Sequence, residues 1–266
     1  MTGNERRMRR RAFLGSAAVA AGLAGCASGQ TDSNDTTGTT KSTSSDGGDG
    51  GTGGGTNGGD TSDSLVFGSD ETTAYGVDLA GNPILGAPDA DVDIYYWSDY
   101  QCPFCSRFEQ DTFPKLVENY LRPGKIRFVV LELPNIGSAS TTASRMAKCV
   151  WRQVRDDSPA AFKRWHSTMF DEQGKPNSGW ASKENLLDIT RTVDGVDAKA
   201  VESCLGENGA SLQSSIDDDV NAATRSDVSA TPGFIFFDRE SEKAGKIMGA
   251  QPYPRFESAI RKIRDA

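Results

Sequence analysis

Two cysteines separated by two residues stand between a strand-like and a helix-like segment, and this feature constrains the fold most. Residues 92–97 form a compact apolar and aromatic run of the kind found in buried strands. Cys102 and Cys105 follow shortly after, and apolar residues then recur at helical spacing as far as Leu121. Three residues apart on a first helical turn, the two sulfurs lie on nearly the same side and can close a small disulfide ring. The sequence therefore predicts an α/β fold with a reactive cysteine pair at a strand-to-helix junction.

The predicted position of Cys102 favours its thiolate over its thiol. Unpaired backbone N–H groups and the positive end of the helix dipole stabilise an anion at a helix N-terminus. Pro103 suits the first helical position because it lacks an N–H that would have no partner there. The thiolate is both the nucleophile and the better leaving group, so a disulfide in this position is easily reduced.

Other uses of a paired cysteine motif fit this chain less well. A zinc site needs two more ligands, and the other cysteines and the sole histidine, His166, are spaced unlike common zinc modules. Covalent haem attachment requires histidine after the second cysteine, where this chain has Ser106. A purely structural disulfide that closes four residues adds little stability. We therefore expect redox chemistry carried by the disulfide itself, with no metal and no other cofactor.

The rest of the chain supplies further strands and a long helical block. Residues 126–133 and 234–237 are strand-like, whereas residues from about 138 to 222 show helical periodicity interrupted by breaks. An amphipathic helix closes the chain. Strands at both ends of a helical block predict one mixed sheet with helices packed against it.

Three segments together resemble the DsbA-like branch of the thioredoxin superfamily: Ser-Asp-Tyr-Gln-Cys-Pro-Phe-Cys at 98–105, Leu-Gly-Ala-Pro-Asp-Ala at 85–90 and Val-Ser-Ala-Thr-Pro-Gly-Phe at 228–234. The resemblance covers about residues 75–266. It implies a thioredoxin-like mixed sheet with an inserted helical domain at about 138–222. It also implies thiol–disulfide oxidoreductase activity on protein substrates.

The resemblance further implies roles for four residues. Cys102 is the sulfur that attacks and is attacked, and Cys105 is the more buried resolving thiol. Thr231 and Pro232 correspond to the family's cis-proline loop, whose backbone lies beside the disulfide and pairs with bound peptide. A cis bond before proline costs only about 0.5–1 kcal/mol relative to trans, so a packed loop can enforce it.

Two positions depart from the family's pattern. Phe104 stands between the cysteines instead of a histidine that assists the thiolate, so the acidity of Cys102 depends more on helix and backbone donors. Tyr96 lies six residues before Cys102, where many thioredoxin relatives carry a buried carboxylate for proton transfer to the second cysteine. Either Asp99, water or another group moves that proton, or the transfer is slower. Asp99 also suits the purely structural role of a turn residue that caps the following helix.

Three polar residues of the helical block allow more than one interpretation. The first 25 residues are typical of an exported protein, in which remaining cysteines such as Cys149 and Cys204 are more often paired than free. A bridge across 55 positions would stabilise the fold by about 4 kcal/mol, and two buried thiols are the alternative. His166 lies beside an apolar stripe and suits helix packing better than catalysis.

The first 72 residues lack a core-forming pattern. Residues 1–25 combine five arginines with a thirteen-residue apolar run, which is too short to span a bilayer and typical of an export signal. Arg10-Arg11 resembles the twin-arginine signal, with an ordinary basic signal region as the alternative. The segment ending at Cys26 resembles a lipobox, in which this cysteine carries the lipid; a stray thiol is the alternative. Residues 26–72, rich in Gly, Ser, Thr and Asp, predict a disordered tether before a folded domain at 73–266.

These observations together predict a lipid-anchored enzyme on the extracytoplasmic face of the cell membrane. It would oxidise thiols of exported proteins and be reoxidised by an unidentified redox partner. A reductase or isomerase that uses the same pair is one alternative, and a non-catalytic surface module that binds peptides is another. The net charge of −8 argues against a nucleic-acid partner, which requires a clustered basic surface.

Overall fold

The computed structural model describes residues 65–265, and they form one six-stranded mixed sheet covered by helices. The predicted signal peptide, Cys26 and most of the predicted tether lie outside the described residues. Within residues 65–265, no helix combines the length and the apolar character that a membrane span requires.

The strands are β1 (Val66–Phe67), β2 (Ile84–Gly86), β3 (Val92–Ser98), β4 (Ile126–Glu132), β5 (Gly233–Asp238) and β6 (Ala244–Met248). The helices are α1 (Pro103–Asp111), α2 (Phe113–Leu116), α3 (Ser138–Val154), α4 (Ala160–Asp171), α5 (Lys183–Thr190), α6 (Ala198–Glu207), α7 (Gly209–Arg225) and α8 (Tyr253–Arg264). A π-helical segment, Val117–Leu121, follows α2 directly.

The strands lie in the order β1-β2-β4-β3-β5-β6. Only the central pair, β3 and β4, is parallel among the pairings of this sheet, and α1, α2 and the π-helical segment make the crossover that a parallel pair requires. Every residue of β3, β4 and β5 is buried, which accounts for their near-continuous apolar sequences. β5 runs antiparallel to β3 with Trp97 opposite Gly233. This register brings the loop before β5 beside the end of β3, where the cysteine turn begins.

Both faces of the sheet are packed. Tyr96 belongs to the larger core with Phe108 of α1, whereas its neighbours Tyr95 and Trp97 belong to a smaller core with Ala222 of α7. This division follows from the strand geometry, because successive side chains point to opposite faces. Helices therefore cover both faces of the sheet.

A buried ion pair joins two helices of the helical block, and its carboxylate is also bonded to the sheet. Lys148 Nζ of α3 lies 2.6 Å from Asp219 Oδ2 of α7, and both side chains are 3% exposed. Asp219 also accepts hydrogen bonds from the backbone N–H of Glu132 (2.9 Å) and from Asn82 Nδ2 (3.1 Å). The charged groups are thus satisfied, as buried charges must be.

The structure corrects two expectations about element boundaries. Strand β1 lies before residue 73, where the folded domain was expected to begin, because Val66 is buried and pairs with Leu85 at the edge of the sheet. The helix expected to run as far as Leu121 is interrupted at Thr112, where α1 ends and α2 begins with a proline in its first turn. In the helical block, α3 to α7 run from residue 138 to residue 225.

Candidate active site

A tight turn presents the two cysteines at the start of α1. Cys102 is the residue immediately before the helix, and Pro103 occupies its first position. The backbone N–H of Cys102 donates to the carbonyl of Asp99 (2.9 Å), and the N–H of Cys105 donates to the carbonyl of Cys102 (3.0 Å). The turn thereby holds both sulfurs on the inner side of the helix, where Cys102 is 2% and Cys105 0% exposed.

The Thr231-Pro232 loop lies against the first cysteine. The peptide bond between these two residues is cis, and Cys102 Sγ lies 3.3 Å from the Thr231 carbonyl oxygen, to which the sulfur donates when it is protonated. The structure thus brings together the four residues that the sequence singled out, although 129 positions separate Cys102 from Thr231.

The two thiols have opposite acidities. A hydrogen bond from the Cys105 thiol is the largest cause that lowers the pKa of Cys102 to about 6, from an ordinary value of 9.0. Burial opposes this shift, whereas the Thr231 hydroxyl and the backbone N–H groups of Cys105 and Phe104 support it. Burial raises the pKa of Cys105 well above the ordinary value. At neutral pH Cys102 is therefore a thiolate and Cys105 a thiol. The hydrogen bond from Cys105 lowers the pKa of Cys102 more than the backbone N–H groups of the helix do, although the sequence predicted the helix as the main cause.

Phe104, one of the two residues between the cysteines, faces outward. Its side chain is 51% exposed, and it is the exposed large hydrophobic residue of the described chain. The guanidinium carbon of Arg107 lies 5.3 Å from the centre of the Phe104 ring, within the range of a cation–π contact. The outward face of the active-site turn is therefore apolar at Phe104 and carries the Arg107 guanidinium beside that ring.

Asp99 holds the active-site turn in place but does not cap α1. Its carboxylate is fully buried and accepts from the backbone N–H of Gln101 (2.8 Å), Asn135 (2.8 Å) and Ile136 (2.9 Å). The residue at the cap position is Cys102, and no side chain caps the helix there. The expected capping role is therefore wrong, whereas the expected turn role is confirmed.

A second set of buried polar groups, Glu109, His166 and Tyr100, lies between α1 and α4. Their contacts were not predicted from the sequence. Glu109 follows Cys105 by one helical turn on α1, and its Oε1 lies 3.2 Å from His166 Nε2 of α4. His166 Nδ1 lies 2.8 Å from the hydroxyl of Tyr100. His166 is packed among aromatic rings, as expected, but it also joins two polar side chains. The four-residue spacing between Cys105 and Glu109 was the available signal, because such residues share a helix face.

The other two cysteines among residues 65–265 form a disulfide. Cys149 of α3 is bonded to Cys204 of α6, which is the pairing considered from the sequence. The bond links two helices of the helical block and leaves Cys102 and Cys105 as the free cysteines of the described residues. Across residues 65–265, no group of three or more His, Cys, Asp or Glu side chains is arranged to hold a metal ion.

Comparison with known proteins assigns the family. Residues 79–253 match the family model described as thioredoxin. The chain belongs to the thioredoxin family. This thioredoxin-family chain is 26% identical over 161 residues to disulfide bond formation protein D of Bacillus subtilis. The aligned residues cover 60% of this chain and 70% of that protein. It is 27% identical over 107 residues to the probable disulfide bond formation protein D of Bacillus anthracis, spanning 40% of this chain and 48% of that relative.

Solved structures of the thioredoxin fold resemble this one. Oxidised BdbD from Bacillus subtilis superposes with a TM-score of 0.59 at 23% identity, covering 76% of this chain and 99% of that one. The α-DsbA1 protein of Wolbachia pipientis superposes with a TM-score of 0.60 at 18% identity, covering 71% and 94%. The predicted fold class, a thioredoxin-like mixed sheet with an inserted helical domain, is confirmed. With its family and relatives, the chain is a thiol–disulfide oxidoreductase whose redox-active group is a disulfide.

Proposed function

We propose that this chain oxidises thiols of exported proteins through a Cys102–Cys105 disulfide, on the extracytoplasmic face of the membrane. The observation that carries the proposal is the asymmetry of the two thiols. The pKa of Cys102 is lowered to about 6, whereas that of Cys105 is raised. A stabilised thiolate is a good leaving group and favours the reduced form of the pair, so the disulfide tends to accept electrons from a substrate.

The proposed reaction begins with the disulfide form. A substrate thiolate attacks Cys102 Sγ, the Cys102–Cys105 bond breaks, and Cys105 leaves with the electron pair and takes up a proton. A second substrate thiolate then attacks the substrate sulfur of the mixed disulfide, and Cys102 leaves as a thiolate. The substrate gains a disulfide and loses two protons, of which one ends on Cys105 and one in solvent. A separate redox partner removes the two electrons before the next cycle.

The surroundings of Cys102 suit an extended protein substrate. The Thr231-Pro232 loop is proposed to pair with the substrate backbone, because its Thr231 carbonyl already lies 3.3 Å from the attacked sulfur. Phe104, half-exposed and two positions after Cys102 in the chain, offers an apolar contact to unfolded segments. A substrate thiol is thereby presented along the surface that leads to Cys102.

Substitution of the cysteines tests the catalytic proposal. Cys102→Ser and Cys105→Ser are each expected to abolish oxidation of a reduced, unfolded test protein, because neither can form the disulfide. Ser106→Ala, in the same turn, keeps both sulfurs and serves as the matched control. Unaltered turnover in both cysteine variants would overturn the catalytic role of this pair. A redox titration of the pair separates oxidase from reductase, since a strongly reducing potential contradicts the oxidising direction.

The membrane tether is a separate part of the proposal. It rests on the basic segment with Arg10-Arg11, the short apolar run and Cys26. Intact-mass analysis of membrane fractions is expected to find a chain that begins at a lipid-modified Cys26. Cys26→Ser should release the protein from that fraction, and Arg10→Lys with Arg11→Lys should block its export by the twin-arginine route. An unmodified chain that begins upstream of Cys26 would overturn the anchor.

A further inference from the structure

Strand β6 leaves one edge of the sheet open. Among the strands of residues 65–265, β6 pairs only with β5. The N–H of Gly249 donates to the carbonyl of Pro232 (2.8 Å). The N–H of Asp238 donates to the carbonyl of Lys243 (3.0 Å). Backbone groups alternate in direction along an antiparallel strand, so the odd-numbered residues of β6 are bonded to β5. The even-numbered residues therefore point their N–H and C=O groups away from the sheet: Ala244, Lys246 and Met248.

A cleft of about 300 Å³ lies between this edge strand and α8. Its apolar lining includes Ile247 and Ile263, and its charged lining consists of Lys246, Arg255 and Lys262. All three charged residues are exposed, and no Asp or Glu side chain lines the cleft. The cleft is therefore positive, on a chain whose formal net charge is −8.

The protein itself does not neutralise the cations of this cleft. On α8, Arg261 lies 3.7 Å from Glu257, whereas Arg255 and Lys262 have no ion-pair partner within residues 65–265. The ammonium of Lys246 donates to two backbone carbonyls at 3.0 and 3.4 Å, which orient it and leave its charge in place. The cleft thus combines free backbone groups, an apolar floor and unpaired positive charge.

We propose that this edge binds an extended, acidic segment of the substrate polypeptide as an added strand. The inference rests on the proposed oxidation of polypeptide thiols and names a feature of the substrates that the enzyme prefers. The outward N–H and C=O groups of β6 form the backbone hydrogen bonds of the added strand, as in other cases of strand addition. Arg255 and Lys262 select carboxylates at alternate positions, because alternate side chains of a strand share a face.

The open edge ends beside the active site. Met248, the last residue of β6, lies opposite Gly233, which follows the loop whose Thr231 carbonyl is 3.3 Å from Cys102 Sγ. An added strand lies about 10 Å from β5, because neighbouring strands are about 4.8 Å apart and each residue spans about 3.3 Å. A spacer of about five residues therefore joins a substrate cysteine at Cys102 to a segment on β6. Antiparallel addition, the slightly more stable pairing, places the acidic segment on the C-terminal side of that cysteine.

Two other occupants fit this edge less well. A second copy of the chain would bring the same cations together, and like charges on paired strands repel. The aspartates before residue 65 come in pairs three positions apart: Asp32 with Asp35, Asp46 with Asp49, and Asp60 with Asp63. Residues three apart in a strand point to opposite faces, so only one carboxylate of each pair could face the cleft. A substrate segment with carboxylates two positions apart has neither fault.

Disulfide transfer from the oxidised enzyme to two matched reduced peptides tests the inference. Each peptide carries two cysteines, a neutral spacer of about five residues and an extended segment, in which Val alternates with Glu in one peptide and with Gln in the other. Acid quenching and intact-mass analysis follow the reduction of the protein. The second-order rate constant is expected to be about tenfold higher for the Glu peptide at low ionic strength, because each exposed ion pair contributes only a few-fold. This preference should shrink at about 1 M salt, where exposed charges are screened.

Matched variants locate the source of the preference. Arg255→Gln with Lys262→Gln should reduce it to about twofold or less, because both cations of α8 in the cleft are then absent. Arg261→Gln with Arg264→Gln removes two charges from the same helix outside the cleft and should leave the preference unchanged. Methylation of alternate backbone nitrogens in the Glu segment should abolish the preference for one alternate set and preserve it for the other, because only every second N–H faces β6.

Equal rates for the two peptides, an equal effect of the two double substitutions, or an equal effect of the two methylation patterns would overturn the inference and leave thiol oxidation intact. Equal peptide rates together with binding to anionic-lipid vesicles that only Arg255→Gln with Lys262→Gln abolishes would assign the cleft to a membrane surface instead. A wild-type protein that oxidises neither peptide would overturn the proposed function.

Discussion

Acidification through pH 6 should change how steeply the reduction potential of the Cys102–Cys105 pair depends on pH. Above the Cys102 pKa of about 6, reduction of the disulfide produces one thiolate and one thiol and takes up one proton. Below that pH it produces two thiols and takes up two. For a two-electron couple the potential should therefore fall by about 30 mV per pH unit above pH 6 and by about 60 mV below it.

The size of the effect follows from the shift at Cys102. Lowering the pKa from 9.0 to about 6 stabilises the reduced form at pH 7 by about 1.4 kcal/mol, or about 30 mV. Because the pKa is depressed, this stabilisation is fully present only above pH 9, where it reaches about 4 kcal/mol. It is lost as the pH falls through 6. The pair is correspondingly a stronger oxidant at pH 7 than a pair with ordinary acidity.

Equilibration with glutathione buffers from pH 5 to 8, followed by acid quenching and mass analysis, measures the potential directly. The pH dependence of alkylation gives the pKa of Cys102 independently. Cys105→Ala removes the largest cause of the low pKa and should move the alkylation midpoint upward, and Thr231→Val should move it in the same direction by less. A single slope of about 60 mV per pH unit from pH 5 to 8, or a wild-type alkylation midpoint near 9, would refute the reasoning.

Three further predictions concern the surroundings of the site and the stability of the fold. Phe104→His should lower the pKa of Cys102 further when the imidazole is protonated, measured by alkylation; an unchanged or higher pKa would contradict this. Cys149→Ala combined with Cys204→Ala should lower the free energy of unfolding by about 4 kcal/mol in urea titrations, because the bond spans 55 positions; a loss below about 1 kcal/mol would count against it. Lys148→Met should cost about 3–5 kcal/mol in the same assay, because it leaves Asp219 buried and unpaired. Lys148→Met with Asp219→Leu should cost less than the single change, and a larger cost would show that the pair itself provides the stability.

Local chemistry made the centre of the site predictable. The turn that holds Cys102 and Cys105 depends on neighbouring residues, and its strand and helix have distinct periodicities. The position of Thr231 beside Cys102 could be inferred only through a resemblance, because it depends on the pairing of β3 with β5.

Long-range contacts explain what the sequence did not predict. The hydrogen bond between Glu109 and His166 joins residues 57 positions apart. Neither the residue types nor the residues beside them in the sequence indicate this contact. β1 and β2 contain two and three residues, too few for a periodic pattern, and they are strands because the sheet edge supplies partners. Asp99 illustrates a third cause, since its partners at Asn135 and Ile136 lie in the loop after another strand.

The place of β5 in the chain has a consequence for biosynthesis. Cys102 leaves the ribosome about 130 residues before Thr231 does, so for much of translation the first cysteine exists without the loop that lies against it. During that interval its sulfur lacks the Thr231 contact, and its full reactivity awaits the docking of β5 beside β3. The cysteine pair therefore gains its full reactivity only when the polypeptide is nearly complete. A chain truncated before residue 231 would retain both thiols, but Cys102 would lack its contact with Thr231.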